Sequence, residues 1–359
     1  MKAWRVEQHG GPEVLELEDV SLRPLETDEA RIRIQAVALN HLDLWVRKGV
    51  PGHRFPLPLT LGCDFSGEVC ELGPLTDKTE EWLNRHHIEE QTSVVVDPVL
   101  SCGKCTVCEA GNTALCKEFG LLGETTDGGL SGYANVPIKN LVVKPQNLTY
   151  AEAASLPIAY VTAWNMLVHK AEAKKGDIVF IRAAGSGVSA AATQIAKYLG
   201  CHVITTVGQN FKSTLAKGLG ADLVVQYQKQ DVVKETKEFV RKLGKRGVDI
   251  ALDHVGKETF LESLKLLDWG GRLVFCGATT GSQVTLDLKP LFFKNISVLG
   301  STMGKKEDLQ KLVDLAAAQR LRPVIDSQYD FEQVPEAMEH LESRQAFGKV
   351  LVSVGKPYW

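Results

Sequence analysis

The chain has 359 residues, 44% of them hydrophobic and 24% charged, and its formal net charge is -3. These values are typical of a globular protein large enough for two domains, and they exclude a low-complexity chain. The nearly balanced charge gives no reason to expect nucleic acid or an anionic membrane as a partner, and no apolar run approaches the length of a membrane span.

The first part of the chain, up to about residue 155, has the pattern of an all-β region with many turns. Residues 31–37 alternate polar and apolar side chains, as a half-buried strand does, and Gly and Pro interrupt the region at residues 10–12 and 49–52. Residues 76–91 are polar and predict a surface helix or loop, in which two adjacent histidines belong to a solvated charged face.

Four cysteines are concentrated in one short segment of this region. They are Cys102, Cys105, Cys108 and Cys116. Zn²⁺ prefers four soft ligands at tetrahedral corners, and glycines at positions 103 and 111 let the segment turn to present all four thiolates. Disulfides or free thiols are the alternative, but closely spaced pairs without a secretory signal favour a metal. Since four protein ligands leave no open coordination position, we predict a structural zinc in a lobe of about residues 97–120.

The other four cysteines are scattered singly. They are Cys63, Cys70, Cys201 and Cys276. The N-terminal residues contain no apolar segment that would serve as a secretory signal. This cysteine usage predicts a reducing compartment, and we expect the protein in the cytoplasm.

From about residue 160 the sequence alternates between strand and helix patterns, which predicts a parallel, doubly wound sheet. Beyond residue 303, a helix over residues 305–320 and a last strand over 348–354 are predicted to return the chain to the first domain. The strands predicted between these regions cover residues 177–181, 202–207, 222–225, 248–255, 272–276 and 296–299.

A glycine-rich turn follows the first of these strands. Gly185, Ser186, Gly187 and Val188 begin a G-x-G-x-x-A fingerprint that ends at Ala190. Its glycines permit a tight turn and let backbone N–H groups approach a pyrophosphate. The alternative is a glycine turn in a sheet without a ligand, but strand, helix and second strand follow in the order that a dinucleotide site requires.

The end of the second strand predicts which dinucleotide is bound. An NAD site places an acidic residue there for the ribose hydroxyls, but residues 206–212 contain none. Gly208 leaves room and Lys212 can neutralise a 2′-phosphate, so NADP(H) is preferred over NAD(H). The alternative for Lys212 is an ordinary solvated lysine. Gly256 and Gly277 lie at the same sheet edge and are further cofactor candidates, although glycine there also serves turn geometry.

The chain resembles the medium-chain dehydrogenase/reductase superfamily over essentially its whole length. The segments that carry the resemblance are NHLDLW at 40–45, LGCDFSG at 61–67, the four-cysteine lobe, LPIAYVTAW at 156–164 and FGKV at 347–350. The resemblance implies an α/β chain with a GroES-like β catalytic domain, residues 1–159 and 303–359, and a Rossmann doubly wound parallel-sheet domain, residues 160–302. It also implies an NAD(P)-dependent oxidoreductase that acts on a small molecule.

One departure from the family pattern concerns catalytic zinc. Zinc alcohol dehydrogenases of this superfamily hold a second zinc with a Cys, a His that precedes a Glu, and a later Cys. The corresponding positions here are Asn40, Cys63 with Asp64, and Ile158. An amide is a poor zinc ligand and a hydrocarbon is none, so the required three ligands are absent.

Asn40 and Asp43 instead resemble the zinc-free quinone oxidoreductase and enone reductase branch, in which such a segment lines the nicotinamide pocket. The alternative is an atypical metal site built from His41, Asp43, Cys63 and Asp64. Against it, we expect the two aspartates to contact the backbone or Arg47, and Cys63 to be a small buried hydrophobe.

The predicted function is therefore an NADP(H)-dependent oxidoreductase with a structural zinc, which transfers hydride to a quinone or an α,β-unsaturated carbonyl. The predicted catalytic residues are Asn40, His41, Asp43 and Thr162, and by resemblance Lys349 reaches the cofactor. The alternatives are a zinc alcohol dehydrogenase with an atypical catalytic metal and a non-catalytic nucleotide-binding protein. The apolar residues 291–299 predict a homodimer through an edge strand, although an internal strand would have the same pattern.

Overall fold

The computed structural model describes residues 1–355 and Tyr358. The chain folds into two compact units, Met1–Ile158 together with Lys305–Trp359, and Ala159–Gly304. No helix among the described residues has the length and apolar character that a membrane crossing requires.

Eighteen strands are found in the described residues. They are β1 (Lys2–Val6), β2 (Leu15–Asp19), β3 (Glu29–Ala38), β4 (Leu59–Thr60), β5 (Asp64–Leu72), β6 (Ser93–Val96), β7 (Val99–Leu100), β8 (Gly120–Leu121), β9 (Tyr133–Pro137), β10 (Leu141–Val143), β11 (Ile178–Ile181), β12 (His202–Val207), β13 (Leu223–Gln226), β14 (Val248–Asp253), β15 (Leu267–Phe275), β16 (Ser297–Gly300), β17 (Ile325–Asp330) and β18 (Lys349–Ser353).

Twelve α-helices accompany these strands in the described part of the chain. They are α1 (His41–Lys48), α2 (Asp77–His86), α3 (Thr106–Glu109), α4 (Tyr150–Ala154), α5 (Pro157–Trp164), α6 (Gly187–Tyr198), α7 (Asn210–Gly218), α8 (Val232–Lys242), α9 (Phe260–Leu266), α10 (Leu288–Phe293), α11 (Asp308–Ala317) and α12 (Val334–Glu342). A π-helix, Asn165–Lys170, continues α5.

The first unit is built on a seven-stranded sheet of order β10-β6-β5-β3-β18-β17, with β9 also paired to β3. The alternation predicted for residues 31–37 is found in β3 over residues 31–36, where Ile32 and Ile34 are buried and Arg31 and Arg33 are only partly buried. Ile32, Ile34 and Phe65 lie in its core together with side chains from α12. Strand β18 lies between β3 and β17, so the C-terminal segment completes this sheet.

The second unit contains six parallel strands in the order β13-β12-β11-β14-β15-β16. Taken in chain order, this is the 3-2-1-4-5-6 arrangement of a doubly wound dinucleotide-binding sheet. The central strand β11 consists of four buried apolar residues, since both faces of a parallel sheet are covered. The predicted α/β class with a doubly wound parallel sheet is confirmed.

Three features differ from the sequence prediction. The region up to residue 155 is not all-β, because α1, α3 and α4 interrupt it in addition to α2, which lies where a surface helix or loop was predicted. The C-terminal segment contains β17 and α12 as well as the predicted helix and last strand. A short helix, α10, precedes β16 where the apolar sequence suggested only a strand. Each of these elements is short, and its hydrophobic period covers too few residues to identify it.

Candidate active site and metal lobe

The register of three neighbouring strands places polar residues at one end of the first unit's sheet. Asp64 begins β5 opposite Ala38, the last residue of β3. Strand β18 runs antiparallel to β3, and the N–H of Leu39 donates to the Val350 carbonyl at 2.9 Å. The residue after Leu39 and the first residue of β18 therefore lie beside Asp64.

Asn40 and Lys349 are those two residues, and they contact each other directly. The Lys349 Nζ donates to Asn40 Oδ1 at 2.6 Å and to Asp64 Oδ2 at 3.1 Å. The Asn40 Nδ2 donates to Asp64 Oδ2 at 2.9 Å and to the Ala38 carbonyl at 3.2 Å. Both amide hydrogens of Asn40 are thus engaged within the first unit.

Asp64 is the acceptor at the centre of this cluster. Its side chain is 0% exposed and that of Lys349 is 4% exposed. The second carboxylate oxygen of Asp64 accepts the N–H of Ile158 at 2.9 Å. Burial raises the pKa of Asp64, and the Lys349 charge opposes that rise. The sequence analysis considered Asp64 only as a ligand of the alternative metal site, and it did not predict the contact with Lys349.

Asp43 organises the turn that holds Asn40. Its Oδ2 accepts the N–H of Asn40 at 2.7 Å, and its Oδ1 accepts the N–H of Gly62 at 3.0 Å. Burial raises the pKa of Asp43 to about 6, and these two N–H groups oppose the rise. Gly62 needs its φ of +95°, and a Cβ there would lie 2.9 Å from the Leu130 nitrogen.

These contacts bear on the atypical metal site. Cys63 is fully buried, its Sγ lies 3.9 Å from Asp43 Oδ1, and burial raises the pKa of its thiol. Asp43 and Asp64 accept backbone N–H groups, whereas Arg47 pairs with Glu342 at 2.8 Å. Within residues 1–355 and Tyr358, the four-cysteine group is the only close cluster of three or more metal-binding side chains.

The remaining two predicted catalytic residues occupy different units. His41 is the first residue of α1 in the first unit and is partly exposed. Thr162 lies in α5, in the second unit, and is 6% exposed.

The four cysteines of the lobe converge around one point. Four of their Sγ–Sγ distances are 3.4, 3.5, 3.9 and 3.9 Å, and all four sulfurs lie within 4.8 Å of one another. Zinc–sulfur bonds of roughly 2.3 Å at tetrahedral angles separate sulfurs by roughly 3.8 Å, so the group fits zinc.

The backbone of the lobe supports thiolate ligands. The N–H of Lys104 lowers the pKa of Cys102 to about 6, and the N–H of Glu118 donates to the Cys116 Sγ at 3.3 Å. Gly103 and Gly111 have φ values of +71° and +76°, which favour glycine. The Gly111 carbonyl accepts the N–H of Lys306 at 3.1 Å and so ties the lobe to the C-terminal segment.

The glycine-rich turn of the second unit lies between β11 and α6. Ser186 caps α6 and accepts the N–H of Ser189 at 3.1 Å. The N–H groups of a helix's first turn lack partners within the helix, and they provide the donors that a pyrophosphate needs. Gly185, Gly187 and Val188 belong to this turn, so its residues fit a dinucleotide.

His254 stands beside the turn and was not predicted. Its Nε2 lies 3.0 Å from the Ser186 Oγ and 2.9 Å from the Ser189 Oγ. Desolvation lowers the pKa of His254 and so favours the neutral imidazole. A single histidine at the end of a strand carries no sequence signal for such a contact.

The other cofactor candidates follow the carboxyl ends of neighbouring parallel strands. Gly208 follows β12, Gly256 follows β14 and Gly277 follows β15. Lys212 lies in the first turn of α7 and is 7% exposed, so it is not the solvated lysine of the alternative interpretation. In doubly wound folds this edge of the sheet binds the ligand.

Comparison with known proteins identifies both units. Residues 187–318 match the family model for a zinc-binding dehydrogenase, and residues 26–146 match that for an alcohol dehydrogenase GroES-like domain. A solved NAD-dependent alcohol dehydrogenase is 41% identical, with a TM-score of 0.91, and the match covers 99% of this chain and 100% of that one.

Two further relatives differ in the acceptor that their names indicate. The quinone oxidoreductase of Pongo abelii is 27% identical, and the match covers 98% of this chain and 97% of the relative. A 2-octenoyl-CoA carboxylase reductase, solved with NADP and 2-octenoyl-CoA, is 27% identical with a TM-score of 0.84, and the match covers 96% of this chain and 83% of that one.

Proposed function

The chain belongs to the medium-chain dehydrogenase/reductase superfamily, and from this premise we propose that it uses NADPH to reduce quinones or α,β-unsaturated carbonyl compounds. It is a medium-chain NAD(P)-dependent oxidoreductase. The choice of acceptor and the preference for NADPH are our proposal.

The observation that carries the proposal is the cluster of Asn40, Asp64 and Lys349. The Lys349 ammonium engages the amide and the carboxylate at two positions where zinc alcohol dehydrogenases have catalytic-site residues. A cation already paired with these oxygens opposes the binding of a second cation there. We therefore derive hydride transfer without a catalytic metal.

The acceptor must suit this arrangement. When bound, the nicotinamide supplies the hydride and the protein supplies orientation and a dry pocket. Conjugation in a quinone or an enone spreads the charge that develops on oxygen, so such an acceptor needs less help from the protein than an isolated ketone. The proposed catalytic residues are Asn40 and Asp43, which hold the turn, and His41 and Thr162, whose side chains can donate hydrogen bonds.

We also propose that the cysteine lobe holds one structural zinc. Cys102, Cys105, Cys108 and Cys116 would complete its coordination, so it would stabilise the lobe and take no part in hydride transfer. The proposal includes a reducing compartment such as the cytoplasm, because four close thiols bind zinc only while they are not oxidised.

The preference for NADP(H) rests on the second strand of the Rossmann-type sheet. Gly208 follows β12 without an acidic residue, and Lys212 supplies a positive charge in the next helix. The 2-octenoyl-CoA carboxylase reductase has NADP bound, which supports this preference, while the 41% identical relative is NAD-dependent. Kinetics with both cofactors decide between them.

A homodimer is the proposed assembly. Strand β16 is the last strand of the second unit's sheet, and β15 is its one strand partner among the described residues. Beside it, α10 presents Phe292 and Phe293 with 70% and 66% exposure. An exposed edge strand next to apolar surface is suited to pairing with a second copy.

The test is the rate of NADPH oxidation with a para-quinone, a linear enone and a saturated aldehyde of similar size. We expect turnover with the first two, little with the aldehyde, and a lower KM for NADPH than for NADH. Turnover limited to the aldehyde and abolished by a chelator would favour the second candidate, an alcohol dehydrogenase, which the 41% identical relative suggests.

A further inference from the structure

Lys349 is the only positively charged side chain in direct contact with Asp64, according to the contacts found among the described residues. Its ammonium carries three N–H donors, of which Asn40 and Asp64 accept two. No hydrogen bond from the third is found in the described part of the chain. The side chain is 4% exposed, so bulk water does little to screen its charge.

Asn40 is a predicted catalytic residue, but both of its amide hydrogens already have acceptors within the first unit. Its two amide hydrogens go to Asp64 Oδ2 and the Ala38 carbonyl, and its oxygen faces the Lys349 ammonium. An oxygen that faces a cation in this way fixes the orientation of the amide, because reversal would place its NH₂ against the ammonium. Asn40 is therefore suited to orienting Lys349 rather than to donating to a substrate.

The charges around Lys349 are arranged to keep it in place. Asp64 binds the ammonium directly, and the backbone N–H of Ile158 holds the other oxygen of that carboxylate. Asp43 is also fully buried and fixes the backbone of Asn40. A cation fixed by such contacts needs little reorganisation when negative charge develops nearby, which is the condition for electrostatic catalysis.

We propose that Lys349 supplies the positive charge that stabilises the negative charge developing on the acceptor oxygen, with its third N–H as the donor. Asn40 and Asp64 are positioning residues that hold the ammonium. The inference rests on the proposed reductase function and names the charged group that acts in the absence of a metal.

Electrons and protons balance without a change in Lys349. NADPH loses a hydride, with the two electrons of its C–H bond, and becomes NADP⁺. The hydride forms a new C–H bond at the acceptor carbon, and the electron pair of the acceptor's conjugated π bond moves onto oxygen. Lys349 keeps its proton and stabilises the oxygen anion. The proton that completes the product comes from solvent.

The experiment compares Lys349→Met, Lys349→Arg and a matched control in steady-state kinetics with NADPH and a para-quinone. The control is Lys144→Met, because Lys144 is a half-buried lysine outside the site that donates to the carbonyls of Pro145 and Leu148. Removal of one charge-stabilising donor lowers kcat by on the order of 100-fold.

We expect that loss for Lys349→Met, with the KM for quinone and the Kd for NADPH within about 3-fold of wild type, as transition-state stabilisation requires. Lys349→Arg keeps the charge and should recover about 10-fold of the loss, while its different shape prevents full recovery. Lys144→Met should keep wild-type kcat.

Three results would overturn the inference. The first is an unchanged kcat in Lys349→Met. The second is a weaker affinity for NADPH in Lys349→Met with an unchanged kcat at saturating NADPH. That result would mean that Lys349 binds the cofactor, as the family resemblance implies. The third is a loss of kcat that Lys349→Arg does not reduce at all.

A folding defect is controlled by a double variant. Lys349→Met leaves Asp64 buried without its counter-charge, whereas Lys349→Met with Asp64→Asn removes both charges. The double variant should fold and should have the same low kcat as Lys349→Met. A wild-type kcat in the double variant would contradict the inference. If the wild-type chain reduces no quinone or enone, the proposed function itself fails, and that outcome is read before any variant is made.

Discussion

Asp43 carries a fully buried carboxyl group. Because burial changes the pKa of this group, the free energy of unfolding of the protein depends on pH. The pKa of Asp43 is raised to about 6, first by burial. A carboxyl whose pKa is higher in the folded state than in the unfolded chain binds its proton more tightly when folded. The contribution of Asp43 to the free energy of unfolding is thus largest at about pH 4 and falls as pH rises to about 6.

Asp43→Asn tests this residue-level prediction. The neutral amide cannot ionise, so wild type should lose stability relative to the variant between about pH 4 and pH 6. The expected change in the difference is on the order of 2 to 3 kcal/mol. Urea unfolding at several pH values measures it, with exposed Glu90→Gln as the control. A difference that stays constant or grows with pH would contradict the assignment.

The contact between Lys349 and Asn40 is one that the sequence alone could not predict. Asn40 and Asp43 are predicted site residues because their N-x-x-D segment resembles that of the zinc-free quinone oxidoreductase and enone reductase branch. Lys349 was predicted as a cofactor residue, yet its partner Asn40 lies 309 positions away along the chain. A contact of that kind depends on the order and register of three strands, and no local pattern reports it.

At the scale of elements, the cysteine lobe is the feature most fully predictable from sequence. Its spacing, its two glycines and its four convergent sulfurs are all local, since fourteen positions separate the outermost cysteines. The turn at α6 is local in the same sense. The interaction of His254 with that turn is not, because it joins the end of one strand to the start of a distant helix.

Cys105→Ser tests the lobe. The loss of one thiolate should lower zinc content and reduce the free energy of unfolding by several kcal/mol, because metal binding to such a site is coupled to folding. Thermal melting and metal analysis measure the two effects. Cys70→Ser is the matched control, because Cys70 lies outside the lobe and its thiol donates to the Arg31 carbonyl. Equal metal content and melting temperature in the two variants would contradict a structural zinc.

At the scale of the whole molecule, the C-terminal segment rejoins the first unit. Strand β18 lies inside the seven-stranded sheet, so the site cannot form from the N-terminal segment alone. The sequence predicted this return from the last strand. The sequence analysis did not predict β17, because its residues are mostly polar and partly exposed. It also did not predict α12, which begins after a short turn.

The proposed dimer is tested at the same scale. Phe292→Glu places a charge on the apolar surface beside β16, and Phe292 is 70% exposed in the chain, so little internal packing is lost. We expect sedimentation to show monomers for this variant and dimers for wild type. Tyr198→Glu, at an exposed position in α6, is the control. Dimers of unchanged affinity in Phe292→Glu would rule out this surface as the interface.

We propose that one chain combines a structural zinc lobe with a hydride-transfer site that needs no metal. The number of zinc ions per chain tests this combination, measured by mass spectrometry on active protein purified without chelator. We predict one equivalent, held by Cys102, Cys105, Cys108 and Cys116, in protein that reduces a quinone with NADPH. Two equivalents in active protein would mean that a second metal binds near Asn40 and Asp64, and would contradict the account.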